Sequence, residues 1–342
     1  MMDASEPSNI NVFRNQHQFG VICIMKNVLV TLPVKETHQA RIREAAPGCN
    51  VLFVPGREVT EEQVSEANVI IGNVPAKMIQ GSECLELLQL ESAGADAYLA
   101  PGLLSESTVL CNATGAYNRT VSEHAVALTL MLMKKLYLYR DEQKKSLWKD
   151  CGNVSSPVGA VVLVVGLGEI GLQYARIMKA MGAYIIGVKR RPGSCPDGID
   201  ELVQTDEIDS VLPRADVVFS ILPSTKGTVH FYTSERFCLM KNSALFINCG
   251  RGNAVESNVL LKALQDGEIS GAAVDVTEPE PLPADHPLWL QENMVITPHV
   301  AGGYHLPHTL ECIVDIACEN LDCWQKGEEY RNVVDFETGY KR

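Results

Sequence analysis

Positive charge is scarce in this 342-residue chain. Lys plus Arg number 29 against 42 Asp plus Glu, a formal charge of −13. Such a surface repels a polyphosphate backbone, which argues against nucleic acid as a partner. Long apolar runs are also missing. The longest, residues 125–133 (broken by Thr129) and 160–165, fall far short of the ~20 residues that cross a bilayer, so no membrane span is expected. The opening M-M-D-A-S-E-P lacks the positive stretch of a secretory signal. Residues 1–24 read as an unstructured tail, with Met25 a second candidate start. The eleven cysteines contain no C-x-x-C pair, and Cys312, Cys318 and Cys323 do not have zinc spacing. They read as reduced thiols in a cytoplasmic protein with no metal. Neither short repeats nor low-complexity segments occur.

What is present is ordinary globular material, with 46% apolar and 21% charged residues. At roughly 150 residues per domain, the length suggests about two domains. Short apolar runs at 28–32, 51–54, 69–71, 87–90 and 109–111 alternate with helical stretches, which predicts parallel strands covered on both faces. A nearly continuous apolar stretch predicts one long buried helix over 120–139. Beyond the break G-N-V-S-S-P-V-G, six strands are expected at 160–165, 184–188, 217–221, 244–248, 271–275 and 295–297. Helices are expected between them, and a last helix over 307–325. Six strands is the count of a complete dinucleotide-binding sheet.

Gly166-Leu167-Gly168-Glu169-Ile170-Gly171 is G-x-G-x-x-G between an apolar strand and a helix, the context such a loop requires. The first glycine permits the turn, the second admits a pyrophosphate, and the third lets helix and strand approach. The helix N-terminus adds free N–H groups and partial positive charge. An NAD site places a carboxylate about 20 residues further on, for the ribose 2′-hydroxyl. Here Lys189 lies 21 residues beyond Gly168, followed by Arg190 and Arg191. Three cations suit a 2′-phosphate, so NADP(H) is favoured and NAD(H) stays as the alternative. A solvated surface run is the plainer reading of the same residues.

The chain resembles the D-isomer-specific 2-hydroxyacid dehydrogenases, a family that includes phosphoglycerate dehydrogenases and glyoxylate/hydroxypyruvate reductases. The resemblance runs from about Met25 to the C-terminus. It rests on S-A-G-A-D (92–96), C-N-A-T-G-A-Y-N-R-T-V-S-E-H (111–124), the glycine loop, I-L-P-S-T-K-G-T (221–228), I-N-C-G-R-G (247–252), A-V-D-V-T-E-P-E-P-L (273–282) and I-T-P-H (296–299). It implies Arg251 as the substrate arginine, His299 as general acid/base and Glu280 as the histidine's partner. It further implies Ala93 and Gly94 as the loop holding the substrate carboxylate, and Asp275 near the nicotinamide carboxamide. Thr120, Pro223, Thr228, Cys249 and Gly250 would line the cofactor site.

The chemistry suits these residue types. A guanidinium can bind a carboxylate and polarise a carbonyl. An imidazole can deliver a proton near neutral pH, and a carboxylate bonded to it favours its charged form and fixes the ring. His305 and His308 are rival acids, and His124 reads as a packing or interdomain residue. Lys189 departs from the usual acidic residue, and Ser122 stands where alanine is usual. Glutamine stands at the position of Glu280 in the formate dehydrogenases, which disfavours formate oxidation.

The resemblance implies an α/β fold of two doubly wound domains, a Rossmann coenzyme domain (119–305) and a flavodoxin-like substrate domain (25–118 plus 306–342), with a cleft between them. It also implies a homodimer, with the 120–139 helix as the candidate contact. The expected reaction is NAD(P)H-dependent reduction of a small 2-keto acid, such as glyoxylate or hydroxypyruvate, to the D-2-hydroxy acid. A dinucleotide-sensing corepressor of the same fold and a glycine-loop methyltransferase are the competing readings.

Overall fold

The computed structural model describes residues 25–336, 339 and 341; the expected tail at 1–24 lies outside them. The first sheet contains β1 (Asn27–Val30), β2 (Asn50–Phe53), β3 (Val69–Ile71), β4 (Leu87–Gln89) and β5 (Val109–Cys111). All pairs are parallel and the order is β2-β1-β3-β4-β5, the flavodoxin-like winding. Successive side chains point to opposite faces of a strand. Val28 and Val30 therefore enter one core with Ile42 of α1 (Glu36–Ala45), while Leu29 enters another with Val64 of α2 (Glu61–Ser65) and Ile79 of α3 (Ala76–Ile79). Each such fully buried aliphatic side chain stabilises the fold by about 1.5–3 kcal/mol.

The chain then enters α4 (Asn118–Met133) and α5 (Leu136–Lys144). The single helix expected over 120–139 is in fact these two. Lys135 adopts φ +55°, and the carbonyl ends nearby are met from the following segment: the Ser155 N–H donates to Met133 O at 3.0 Å. Only one face of α4 is buried, through Val121, Ala125, Leu128 and Leu132, whereas α5 buries nothing.

The second sheet contains β6 (Val161–Val165), β7 (Tyr184–Lys189), β8 (Glu201–Gln204), β9 (Val217–Ser220), β10 (Leu245–Asn248), β11 (Gly271–Val274) and β12 (Met294–Ile296). The order is β12-β11-β10-β9-β6-β7-β8, again all parallel. Counted from β6, this is the doubly wound order 3-2-1-4-5-6 with one strand added beside the sixth. The sheet has seven strands, not the six expected. The addition to the expected set is β8, whose E-L-V-Q is half polar because it pairs only with β7 at the edge. Val162 and Val164 face a core shared with α4 and α6 (Glu169–Ala180). Leu163 and Val165 face one shared with α7 (Ile208–Val211), α8 (Ser234–Leu239) and α9 (Ser257–Gln265).

The last helix, α10 (Pro307–Lys326), returns to the first sheet. It buries Ile313, Ala317 and Leu321 against that sheet's core. His38 of α1 bonds to Glu311 at 2.8 Å, and buried Asn320 donates to buried Gln89 of β4. Among the described residues no helix is long and apolar enough to cross a membrane, and no cluster of three or more His, Cys, Asp or Glu is arranged to hold a metal.

Candidate active site

The residues singled out from the sequence gather at the carboxyl ends of the strands, where open α/β sheets bind ligands. Gly166 directly follows β6 with φ +107°, and a Cβ on it would lie 2.9 Å from Ile221 O. Around Gly168 a Cβ would meet nothing within 4 Å, so the backbone stays open to an incoming group. A Cβ on Gly171 would stand 2.0 Å from Gly166 O, so helix and strand can approach this closely only with glycine there. Glu169 and Ile170 open α6, whose twelve residues direct its N-terminal N–H groups to that open face. This cradle fits a dinucleotide pyrophosphate.

Lys189 ends β7 and its Nζ donates to Ser194 O at 3.2 Å. Arg190 and Arg191 are exposed beyond it. Across the loop, Thr228 Oγ1 accepts from the Thr225 N–H at 2.8 Å and donates to Pro223 O, which closes the P-S-T-K-G-T turn beside β9. Cys249 is buried, and desolvation pushes its thiol up out of the reactive range. A Cβ on Gly250 would be 2.4 Å from Leu222 O.

Arg251, Glu280 and His299 follow the neighbouring strands β10, β11 and β12. His299 Nδ1 and Glu280 Oε1 are 2.6 Å apart. His299 has φ +54°, and its N–H donates to Asp275 O at 2.7 Å. The side chain of Asp275 is almost fully buried. One of its oxygens accepts from Thr297 Oγ1 at 2.6 Å and the Val300 N–H at 2.9 Å, the other from the Ala301 N–H at 2.9 Å. In the chain as described, Asp275 therefore secures the turn that presents His299. His124 joins the same network through Thr297 Oγ1 at 3.1 Å, behind the site. Thr120 Oγ1 donates to Ala301 O at 3.0 Å. His305 and His308 are exposed at the start of α10, and His308 contacts Cys312 at 3.5 Å.

The two sheets meet at Arg251. Its Nε donates to Asp96 Oδ2 at 3.3 Å, and a Cβ on Gly94 would lie 1.9 Å from its Nη2. Ala93 is held by Asn112, whose Nδ2 donates to Ala93 O at 2.9 Å.

Residues 126–301 match the model of the D-isomer specific 2-hydroxyacid dehydrogenase NAD-binding domain. A glyoxylate/hydroxypyruvate reductase B of Shigella flexneri is 30% identical over 284 residues, 79% of this chain and 85% of that protein. The chain belongs to the D-isomer-specific 2-hydroxyacid dehydrogenase family. A solved dehydrogenase of this family from Aeromonas salmonicida subsp. salmonicida A449 superposes with TM-score 0.81 at 31% identity, over 91% of this chain and 99% of that one. A probable 2-hydroxyacid dehydrogenase from Rhizobium etli CFN 42, solved with NADP, HEPES and L(+)-tartaric acid, gives TM-score 0.74 at 25% identity, over 93% and 100%. The chain is thus a nicotinamide-dinucleotide-dependent oxidoreductase of the 2-hydroxyacid dehydrogenase type.

Several polar pairings of this dehydrogenase were not anticipated from its sequence. Asp96 lay inside a quoted motif without a role, yet it pairs with Arg251. His230, at φ +50°, sits between Glu256 (3.1 Å) and Glu278 (2.7 Å), two residues before Glu280. Glu91 bonds to Tyr304, 213 positions away. None of these pairs has a local sequence signal.

Proposed function

We propose that the protein reduces a small 2-keto acid, such as glyoxylate or hydroxypyruvate, to the D-2-hydroxy acid with NADPH. The observation that carries this reading is the 2.6 Å His299–Glu280 pair beyond β11 and β12, the two strands next in the sheet to β10, which Arg251 follows. Bound NADPH supplies the hydride. Arg251 and the N–H groups of Ala93 and Gly94 hold the substrate carboxylate, and the guanidinium also polarises the ketone. His299 gives its proton to the forming alkoxide. With Nδ1 turned to Glu280, Nε2 is the ring atom that delivers it. Glu280 orients the ring through its 2.6 Å contact with Nδ1. Closure of the cleft between a substrate unit (25–118 plus 306–342) and a coenzyme unit (119–305) would exclude water.

Lys189, Arg190 and Arg191 support NADPH over NADH, since a 2′-phosphate would find cations where NAD sites carry a carboxylate. Thr120, Pro223, Thr228, Cys249, Gly250 and Asp275 complete the coenzyme site in this reading. The exposed apolar side chains of Leu136, Tyr139, Leu147 and Trp148 support a homodimer built through the arm formed by α5 and the residues just after it. Among the described residues the cysteines are free, Cys111 and Cys249 buried, which suits a reducing cytoplasm.

The deciding experiment offers a panel of 2-keto acids with NADH and with NADPH, and follows absorbance of the reduced nicotinamide. Coenzyme binding without oxidation by any keto acid would defeat the reading and favour a binding-only sensor.

A further inference from the structure

We propose that Glu91 is a positioning residue for the keto acid, tying the carboxylate-binding loop to both segments that connect the two sheets. The inference rests on the reading of Ala93 and Gly94 as that loop. Glu91 stands two residues before Ala93, and three groups fix it. Its N–H donates to Asn73 Oδ1 at 3.2 Å, its carbonyl accepts from Tyr117 Oη at 2.6 Å, and its carboxylate accepts from the Tyr304 hydroxyl. Tyr117 belongs to the outgoing segment, immediately before α4. Tyr304 belongs to the returning segment, five residues after His299. These segments also touch each other, for a Cβ on Gly302 would be 3.3 Å from the Tyr117 ring.

The other bonds to the loop at Ser92 and Ala93 come from its own sheet. Asn73 Nδ2 donates to Ser92 Oγ at 3.2 Å, the Ala113 N–H to Ser92 O at 2.9 Å, and Asn112 to Ala93 O. They hold the loop relative to β4 and β5. Glu91 instead holds it relative to α4 and to the turn bearing His299. Reduction needs the carboxylate anchor and the proton donor in register, and a misplacement of about 1 Å can cost ~10²-fold in rate. A bond to a carboxylate is stronger than a neutral one, which suits a joint that must keep register while the cleft opens and closes. Burial pushes the Glu91 carboxyl up, and the bond from Tyr304 offsets part of that; burial also pushes the Tyr304 hydroxyl up, so the tyrosine keeps its proton as donor.

The test uses the full chain with glyoxylate and hydroxypyruvate, comparing wild type, Tyr304→Phe, Glu91→Gln and the double variant by kinetics, NADPH titration and thermal melting. Tyr304→Phe should raise the keto-acid KM and lower kcat, together cutting kcat/KM at least about tenfold, with NADPH affinity unchanged. Glu91→Gln keeps an acceptor and should do less, and the double variant should match Tyr304→Phe alone. A lower Tm with unmoved KM would reduce the bond to a structural one and overturn the proposal, as would independent, additive effects. A wild type that binds NADPH but oxidises it with neither acid would overturn the function reading and this proposal with it. Turnover with unmoved KM would overturn this proposal alone.

Discussion

A methyl group on Gly94 would stand 1.9 Å from Nη2 of Arg251, so a residue of the first sheet's loop and one after β10 fit only while the former is glycine. Gly94 is not in the left-handed region, and the obstacle is the far end of a flexible side chain. Gly94→Ala should therefore leave stability within about 1 kcal/mol of wild type. It should displace the guanidinium and lower kcat/KM for the keto acid about 10²-fold, with NADPH binding unchanged. Kinetics and a melting curve on the same preparation check both halves. Wild-type kinetics in this variant would remove Arg251 from the substrate site.

Glu280→Gln keeps the shape of the His299 partner and removes its charge. In the proposed mechanism, kcat should fall about 10- to 10²-fold while NADPH affinity holds. Rapid mixing under single-turnover conditions would show the loss in the reduction step itself. An unchanged single-turnover rate would mean that His299 does not depend on this carboxylate.

Replacing both Lys189 and Arg190 by alanine should weaken NADPH about tenfold per lost phosphate contact and leave NADH nearly untouched. Titration with each coenzyme by nicotinamide fluorescence reads this directly. Equal losses for the two would assign the cations to general attraction rather than to the 2′-phosphate.

Trp148 is fully exposed on the arm after α5. If that arm is covered by a second copy, Trp148→Glu should shift the protein toward monomer in sedimentation velocity. A dimer of wild-type stability in this variant would move the interface elsewhere.

Asp200 accepts from the Ile185 N–H at 2.9 Å and from Lys179 at 3.0 Å, and these bonds, the backbone one foremost, hold its carboxyl below the ordinary 3.8. A depressed folded-state value means stability that is complete above the unfolded value and lost as pH falls through the folded one. Asp200→Asn should therefore melt lower than wild type at pH 7, with the gap narrowing below about pH 4. Calorimetry across that range checks the sign, and a gap independent of pH would refute it.

Much of the architecture is legible in the sequence because buried parallel strands are written as short β-branched runs. Val162 to Val165 supplies two cores on alternate residues, and the run alone announces a strand covered on both faces. The glycine loop is legible because its spacing is local, although only Gly171 answers a contact within its own strand–turn–helix unit, while Gly166 meets Ile221 and Gly168 faces open space. Edge strand β8 was not legible: with one neighbour, E-L-V-Q carries too little apolar pattern. Nor was the break at Lys135, where a lysine takes a left-handed conformation with no glycine or proline to mark it. The site divides similarly. Arg251, Glu280 and His299 lie in compact motifs at strand ends. Asp96–Arg251 and Glu91–Tyr304 join residues that only the fold brings together, and pairing over 155 or 213 positions leaves no periodic trace.

Thr120 at the start of α4 bonds to Ala301 just beyond the His299 turn, so the chain leaves the first sheet and comes back to it through one narrow neck. The seven-stranded sheet is thereby an excursion of the polypeptide rather than a tail. A homologous excursion with different coenzyme taste could be spliced in between the same two points, leaving the flanking sheet and its closing helix α10 to assemble around it unchanged.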